Sequence, residues 1–130
     1  MILKSAPNKQ KAKSLKKMAE ITLDRLHKTS LQDYPSNALT DYYDIIHKLL
    51  ESLASLGGVK ISGEGAHQEL IDYICKKHNL GESTRIFLQE MREFRNRISY
   101  EGFSITSNYI SLNKDKIESI IKTLLTLVVL

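Results

Sequence analysis

Only one cysteine, Cys75, occurs in the 130 residues, so no internal disulfide can form and no thiolate zinc cluster can be built. Its neighbours are apolar on one side and lysines on the other, the setting of a buried, inert thiol. Prolines number two and glycines six, few enough to leave long stretches without a break, which predicts a mostly helical chain. The opening residues lack the apolar stretch of a signal peptide, and the apolar run from Leu124 to Leu130 is far short of a membrane span. A cytoplasmic location is the expectation that follows. His27, His67 and His78 show no metal-ligand spacing, and Cys75 with His78 is too little for zinc, so no metal or cofactor is called for.

Acid is missing from one region in particular. The first seventeen residues hold Lys4, Lys9, Lys11, Lys13, Lys16 and Lys17 and no carboxylate. The chain's net charge is +4, and without those six lysines the remainder is close to balance, at about −2. Such a run attracts RNA, DNA or an acidic partner in a salt-sensitive way. The simpler reading is a basic, frayed helix start that stays solvated.

What remains is the pattern of one helical domain spanning residues 1–130, of a size that supports a single core. The spacing predicts a first helix from about Asn8 to Ser30 with Leu15, Met18, Thr22 and Leu26 inward. Pro35 ends the break that follows, and Ser36 reads as the N-cap of a second helix reaching Gly57-Gly58. On it Leu39, Tyr43, Ile46, Leu50 and Leu53 fall in one stripe, widened by Tyr42, Leu49 and Leu56, which makes it the central helix. Residues 59–65 read as a glycine-punctuated loop. Its Gly-Glu-Gly is too short, and has no strand before it, to be a phosphate-binding loop.

A third helix over about Ala66–His78 buries Leu70, Ile71 and Ile74. A fourth, from near Ser83 to a stop at Gly102, carries Phe87, Met91, Phe94 and Ile98 on one face. Residues 103–112 alternate and are rich in Ser and Thr, which suggests extended or irregular chain before a fifth helix capped by Asn113. Its stripe, Ile117, Ile120, Ile121, Leu124, Leu125, Leu127 and Val128, is wide enough to need burial on two sides or cover from another subunit. The fold class is all-α, an up-and-down bundle of four to five helices.

The functional signal sits at the end of the fourth helix, in Arg95-Asn96-Arg97-Ile98-Ser99-Tyr100-Glu101-Gly102. Arg97 has Glu93 and Glu101 four residues away on either side and reads as a surface ion pair. Arg95 has no carboxylate three or four residues away. Arg92, Arg95, Asn96 and Ser99 share a polar arc, and two unpaired guanidiniums with an amide and a hydroxyl can grip a phosphate. The competing reading completes a structural ion pair with an acid from the second helix, Asp44 or Glu51.

Two strings, Asp41-Tyr42-Tyr43-Asp44-Ile45-Ile46-His47 and Glu93 through Gly102, resemble the prokaryotic HEPN superfamily over roughly residues 36–130. That resemblance implies a small dimer-forming helical bundle, often a metal-independent ribonuclease, sometimes paired with a minimal nucleotidyltransferase in a toxin–antitoxin system. It puts the family arginine at Arg95 and the adjacent polar residue at Asn96. The family histidine falls on Tyr100, and no histidine follows in the chain. Histidine exchanges protons near neutrality, with a reference pKa of about 6.5, whereas a phenol sits near about 10. His47, on the flank of the second helix with Asp44 and Glu51, is the replacement base if that flank faces Arg95; otherwise it is a surface histidine paired with Glu51.

The reading that results is binding of RNA or nucleotide phosphate by a homodimer whose ribonuclease site is degenerate. One alternative is a non-enzymatic module that docks a nucleotidyltransferase or other partner through the fifth helix. Another is an active ribonuclease using Arg95 on the phosphate and Tyr100 or His47 on protons. No helix shows the base-reading pattern of a DNA-binding protein.

Overall fold

The computed structural model describes all 130 residues and shows an all-α bundle with one small ribbon at its edge. The elements are β1 (Ile2–Lys4), α1 (Lys9–His27), α2 (Pro35–Leu56), β2 (Val59–Ile61), α3 (Ala66–Lys77), α4 (Glu82–Glu101) and α5 (Ser107–Leu127). α2 touches each of the other four helices. Its apolar residues explain this: Leu39, Tyr42, Tyr43, Ile45, Ile46, Leu49, Leu50 and Leu53 are buried around much of its circumference. Each fully buried Leu or Ile contributes about 1.5–3 kcal/mol.

α1 lies against α2 on a seam of small residues. Ala12 and Ala19 are buried, and Ser52 on α2 donates its hydroxyl to the Ala12 carbonyl at 2.8 Å. The inner face is therefore set by Ala12, Ala19 and Leu26, with Leu15, Thr22 and Leu23 half-buried, and Met18 turns out to solvent. The sequence expectation for Met18 fails because alanine permits the close approach that a large side chain prevents. α1 stops at His27, short of Ser30.

Further boundaries also differ from expectation. α2 takes Pro35 as its first residue, where a missing N–H costs nothing, and Tyr34 is the N-cap. Ser36 instead accepts a hydrogen bond from the Ile105 amide at 2.9 Å, tying down the chain between α4 and α5. α5 begins at Ser107, capped by Thr106, whose hydroxyl accepts from the Tyr109 amide at 3.2 Å. The stretch expected to be irregular is thus mostly helix, and Asn113 sits inside it, donating to the Tyr109 carbonyl. Its buried Ile110 stands two turns before Ile117, so the apolar stripe extends further back than its serines and threonines suggest. Of that stripe, Ile117, Ile120, Ile121, Leu124 and Val128 are buried within the single chain, while Leu125 and Leu127 are half-buried. α4 ends at Gly102 in the left-handed conformation, φ 65°, as expected.

The N-terminal segment is docked, not frayed. β1 pairs antiparallel with β2 in the register Ile2 to Ile61, Leu3 to Lys60 and Lys4 to Val59. Beyond it the Ser5 amide donates to the Gly58 carbonyl at 2.8 Å and the Asn8 amide to the Ser55 carbonyl at 3.0 Å. Asn8 then caps α1, its side chain accepting from the Lys11 amide at 2.9 Å. A short strand therefore does precede the Gly-Glu-Gly turn, although it belongs to a two-stranded ribbon. No helix is long and apolar enough to cross a membrane.

Candidate functional site

α2, α3 and α4 bring one polar group together on their shared flank. α2 supplies Tyr43 and its neighbour Asp44, then His47 and Glu51 at intervals of about one turn. α3 supplies His67 from its first turn, placed there by the turn through Gly63 and Gly65, both at positive φ. α4 supplies Arg92 and Arg95. The two imidazoles meet across the helices in a tilted arrangement, with ring centroids 4.1 Å apart and 42° between their planes. Glu51 holds the Nδ1 of His47 at 3.0 Å.

The arginines are held without being saturated. Arg92 donates from Nε to the side-chain oxygen of Gln89 at 2.8 Å, and Gln89 in turn donates to the Gln68 carbonyl and Asp72 on α3. Its Nη2 stands 3.8 Å from Glu93. Arg95 approaches Asp44, but at 3.7 Å from Nε to Oδ1 the contact is an ion pair too long for a hydrogen bond. The Arg95 Nε is buried with no hydrogen-bond partner, and so is the hydroxyl of Tyr43. A buried donor left unpaired costs about 1–3 kcal/mol. Two such donors stand in this group, and no other buried side-chain nitrogen or oxygen in the protein is unpaired.

The electrostatics agree with that geometry. Burial raises the Tyr43 hydroxyl to about 12 against the pull of Arg92 and Arg95, so it stays a neutral donor. Partial burial, then the neighbouring His47, Arg95 and Arg92, push the His67 imidazole below its ordinary value, while Glu51 works the other way. His67 is thereby neutral near pH 7. Glu51 is lowered, first by its hydrogen bond from His47 and also by Lys11 and His67. The amides of His67 and Gln68, at the start of α3, have no backbone acceptor.

Of the residues singled out from sequence, Arg92, Arg95 and His47 converge here. The flank of α2 does face the Arg95 side, through Asp44, and His47 pairs with Glu51 as its structural reading expects. Both arginines have an acid within ion-pair distance, one of them the Asp44 anticipated as its structural partner, so neither is wholly uncompensated. Asn96 is half-buried, and Ser99 and Tyr100 are exposed further along α4. Tyr100, at 82% exposure, extends into solvent. Arg97 pairs with Glu101 at 3.9 Å and lies over the Phe103 ring at 3.9 Å, a surface role as expected.

His67 and the Tyr43 hydroxyl are the members that sequence reasoning missed. Tyr43 reads as core, which its ring is, and His67 has no spacing that links it to His47. Elsewhere, Cys75 is buried and its thiol is pushed up to about 11 by burial, the inert thiol anticipated. No group of three or more His, Cys, Asp or Glu side chains is arranged to hold a metal ion.

What this arrangement can do is bind an anion: two guanidiniums, two imidazoles and a neutral phenol are brought together from three helices. Set against models of known families, characterised proteins and solved structures, the chain has no significant match.

Proposed function

We propose that this chain is a HEPN-like helical domain that binds RNA through its phosphates, with Arg95 and Arg92 as the principal grip. The observation that carries the reading is the buried, unpartnered Nε of Arg95, in a group that also holds the buried, unpartnered hydroxyl of Tyr43. A phosphate oxygen at the partly exposed Arg95 guanidinium gains a charge-assisted bond. The exposed lysines of the N-terminal segment add sequence-independent attraction to a polyanion. The homodimer and the relation to nucleotidyltransferase partners rest on the sequence resemblance. Tyr100, at the position of the family histidine, stands in solvent.

The experiment is a gel carrying labelled single-stranded RNA with wild type and with Arg95→Ala. Binding by wild type that is lost in a folded Arg95→Ala protein is the expected result. Equal binding by the two proteins overturns the reading, and cleavage that vanishes with Arg95 replaces it with the ribonuclease.

A further inference from the structure

Arg92 is the better anchored of the two arginines, and a single neutral side chain anchors it. Gln89 stands three residues before it on α4, one turn back on the same face. The Arg92 Nε donates to the Gln89 side-chain oxygen at 2.8 Å. In the other direction the Gln89 amide nitrogen donates to the Gln68 carbonyl and to Asp72 Oδ1, both at 3.0 Å. An amide has one donor end and one acceptor end. With two acceptors on α3 holding the nitrogen, the oxygen is left facing Arg92. Asp72 is itself held, accepting from Arg85 Nη1 at 3.1 Å, and Arg85 pairs in turn with Glu82. A fixed point on α3 thus orients an arginine of α4.

The chemistry of that anchor suits a phosphate grip. Of the five guanidinium donors, Gln89 takes the one on Nε. Nη2 lies 3.8 Å from Glu93, beyond hydrogen-bond length, and neither terminal nitrogen is among the buried unpaired atoms, so both reach solvent. That terminal pair is the fork that bonds phosphate oxygens. A carboxylate in the place of Gln89 would orient the guanidinium and also cancel its charge, whereas an amide oxygen orients it and leaves the charge intact. A fork already fixed also loses less freedom when it binds. Resting on the phosphate-binding reading above, we infer that Gln89 is a positioning residue: buttressed by Asp72, its amide oxygen aims the Arg92 fork at RNA phosphate without neutralising it.

Fluorescence anisotropy with labelled single-stranded RNA and full-length protein tests this on wild type, Gln89→Met, Arg92→Ala and the double variant. Gln89→Met should weaken binding by about three- to tenfold. The double variant should bind like Arg92→Ala to within about twofold, because Gln89 acts only through that arginine. A second readout needs no RNA: NMR of the arginine Nε–H groups should show Arg92 loosened in Gln89→Met. Should that variant not fold, Gln89→Asn, which draws the amide one methylene back from Arg92, takes its place in the same cycle. Full RNA affinity in Gln89→Met beside a loss in Arg92→Ala overturns the inference, as do losses that simply add. If Arg95→Ala abolishes binding while Gln89→Met and Arg92→Ala bind like wild type, the inference falls and the RNA-binding reading stands on Arg95 alone. RNA that wild type does not bind removes both.

Discussion

His47 of α2 and His67 of α3 lie 4.1 Å apart, ring to ring, with Glu51 bonded to one of them and two arginines bearing on the other. A charge on His47 at that distance is one of the causes, after burial, that hold the His67 imidazole below its ordinary value.

Stability should therefore fall on the acid side. Because the folded protein holds His67 below its ordinary value, the unfolded chain takes the proton first as pH drops through about 6.5. The stability contributed by the neutral ring is present above that pH and is lost below it. His78, also lowered by burial, acts in the same direction. Urea unfolding of wild type and His67→Asn across roughly pH 8 to pH 5 should show a shallower acid loss in the variant. Added pyrophosphate should shrink the loss in wild type, since an anion favours the protonated ring. Identical pH profiles with and without His67 would contradict this.

Asp44 competes with any anion for Arg95, which it approaches at 3.7 Å. A partly exposed pair of this kind is worth about 0.2–1 kcal/mol. Asp44→Asn should tighten RNA binding by roughly two- to fourfold, read by fluorescence anisotropy. Weaker binding in that variant would mean that Asp44 positions the guanidinium more than it blocks it.

Glu118 on α5 accepts the hydroxyl of fully buried Tyr42 at 2.6 Å and meets His27 Nε2 at 2.9 Å, joining α1, α2 and α5. Glu118→Ala strands the Tyr42 hydroxyl and should lower stability by about 1–3 kcal/mol. Adding Tyr42→Phe should recover part of that loss, because the stranded donor is gone. Thermal denaturation of the two variants checks both halves.

Gly58 sits at φ +68°, and a Cβ there would stand 2.7 Å from the Ser5 carbonyl oxygen. Gly58→Ala should cost about 1–2 kcal/mol in backbone strain before that clash is counted. Hydrogen exchange at the Ser5 amide, which donates to Gly58, should rise with it. Unchanged protection would show that the N-terminal strand is held by other contacts.

The helices were legible in the sequence wherever large apolar residues carry the period. Leu39 to Leu53 of α2 and Phe87 to Met91 of α4 lie where the spacing predicts. The pattern misled where small or hydroxylated residues do the packing, as with Ala12 and Ala19 on α1 and the Thr106-capped first turns of α5. The β1–β2 ribbon joins Ile2–Lys4 to Val59–Ile61, and two three-residue strands so far apart carry no local signal. Arg95, Arg92 and His47 stood out because charge or a flank position marked them. His67 entered the cluster only through the tertiary turn at Gly63 and Gly65, and the importance of Tyr43 lies in a missing hydrogen bond, which no sequence displays.

The central claim is that Arg95 grips phosphate, and the salt dependence of RNA binding tests it most directly. For a single strand, log K should fall with log salt in proportion to the contacts made, by about 0.7 per phosphate neutralised. Arg95→Ala, shown folded by its thermal transition, should weaken binding to single-stranded RNA of any sequence and reduce the slope by close to that amount. A variant that binds with the same affinity and the same slope would place the phosphate contacts elsewhere and leave Arg95 as a partner of Asp44 alone.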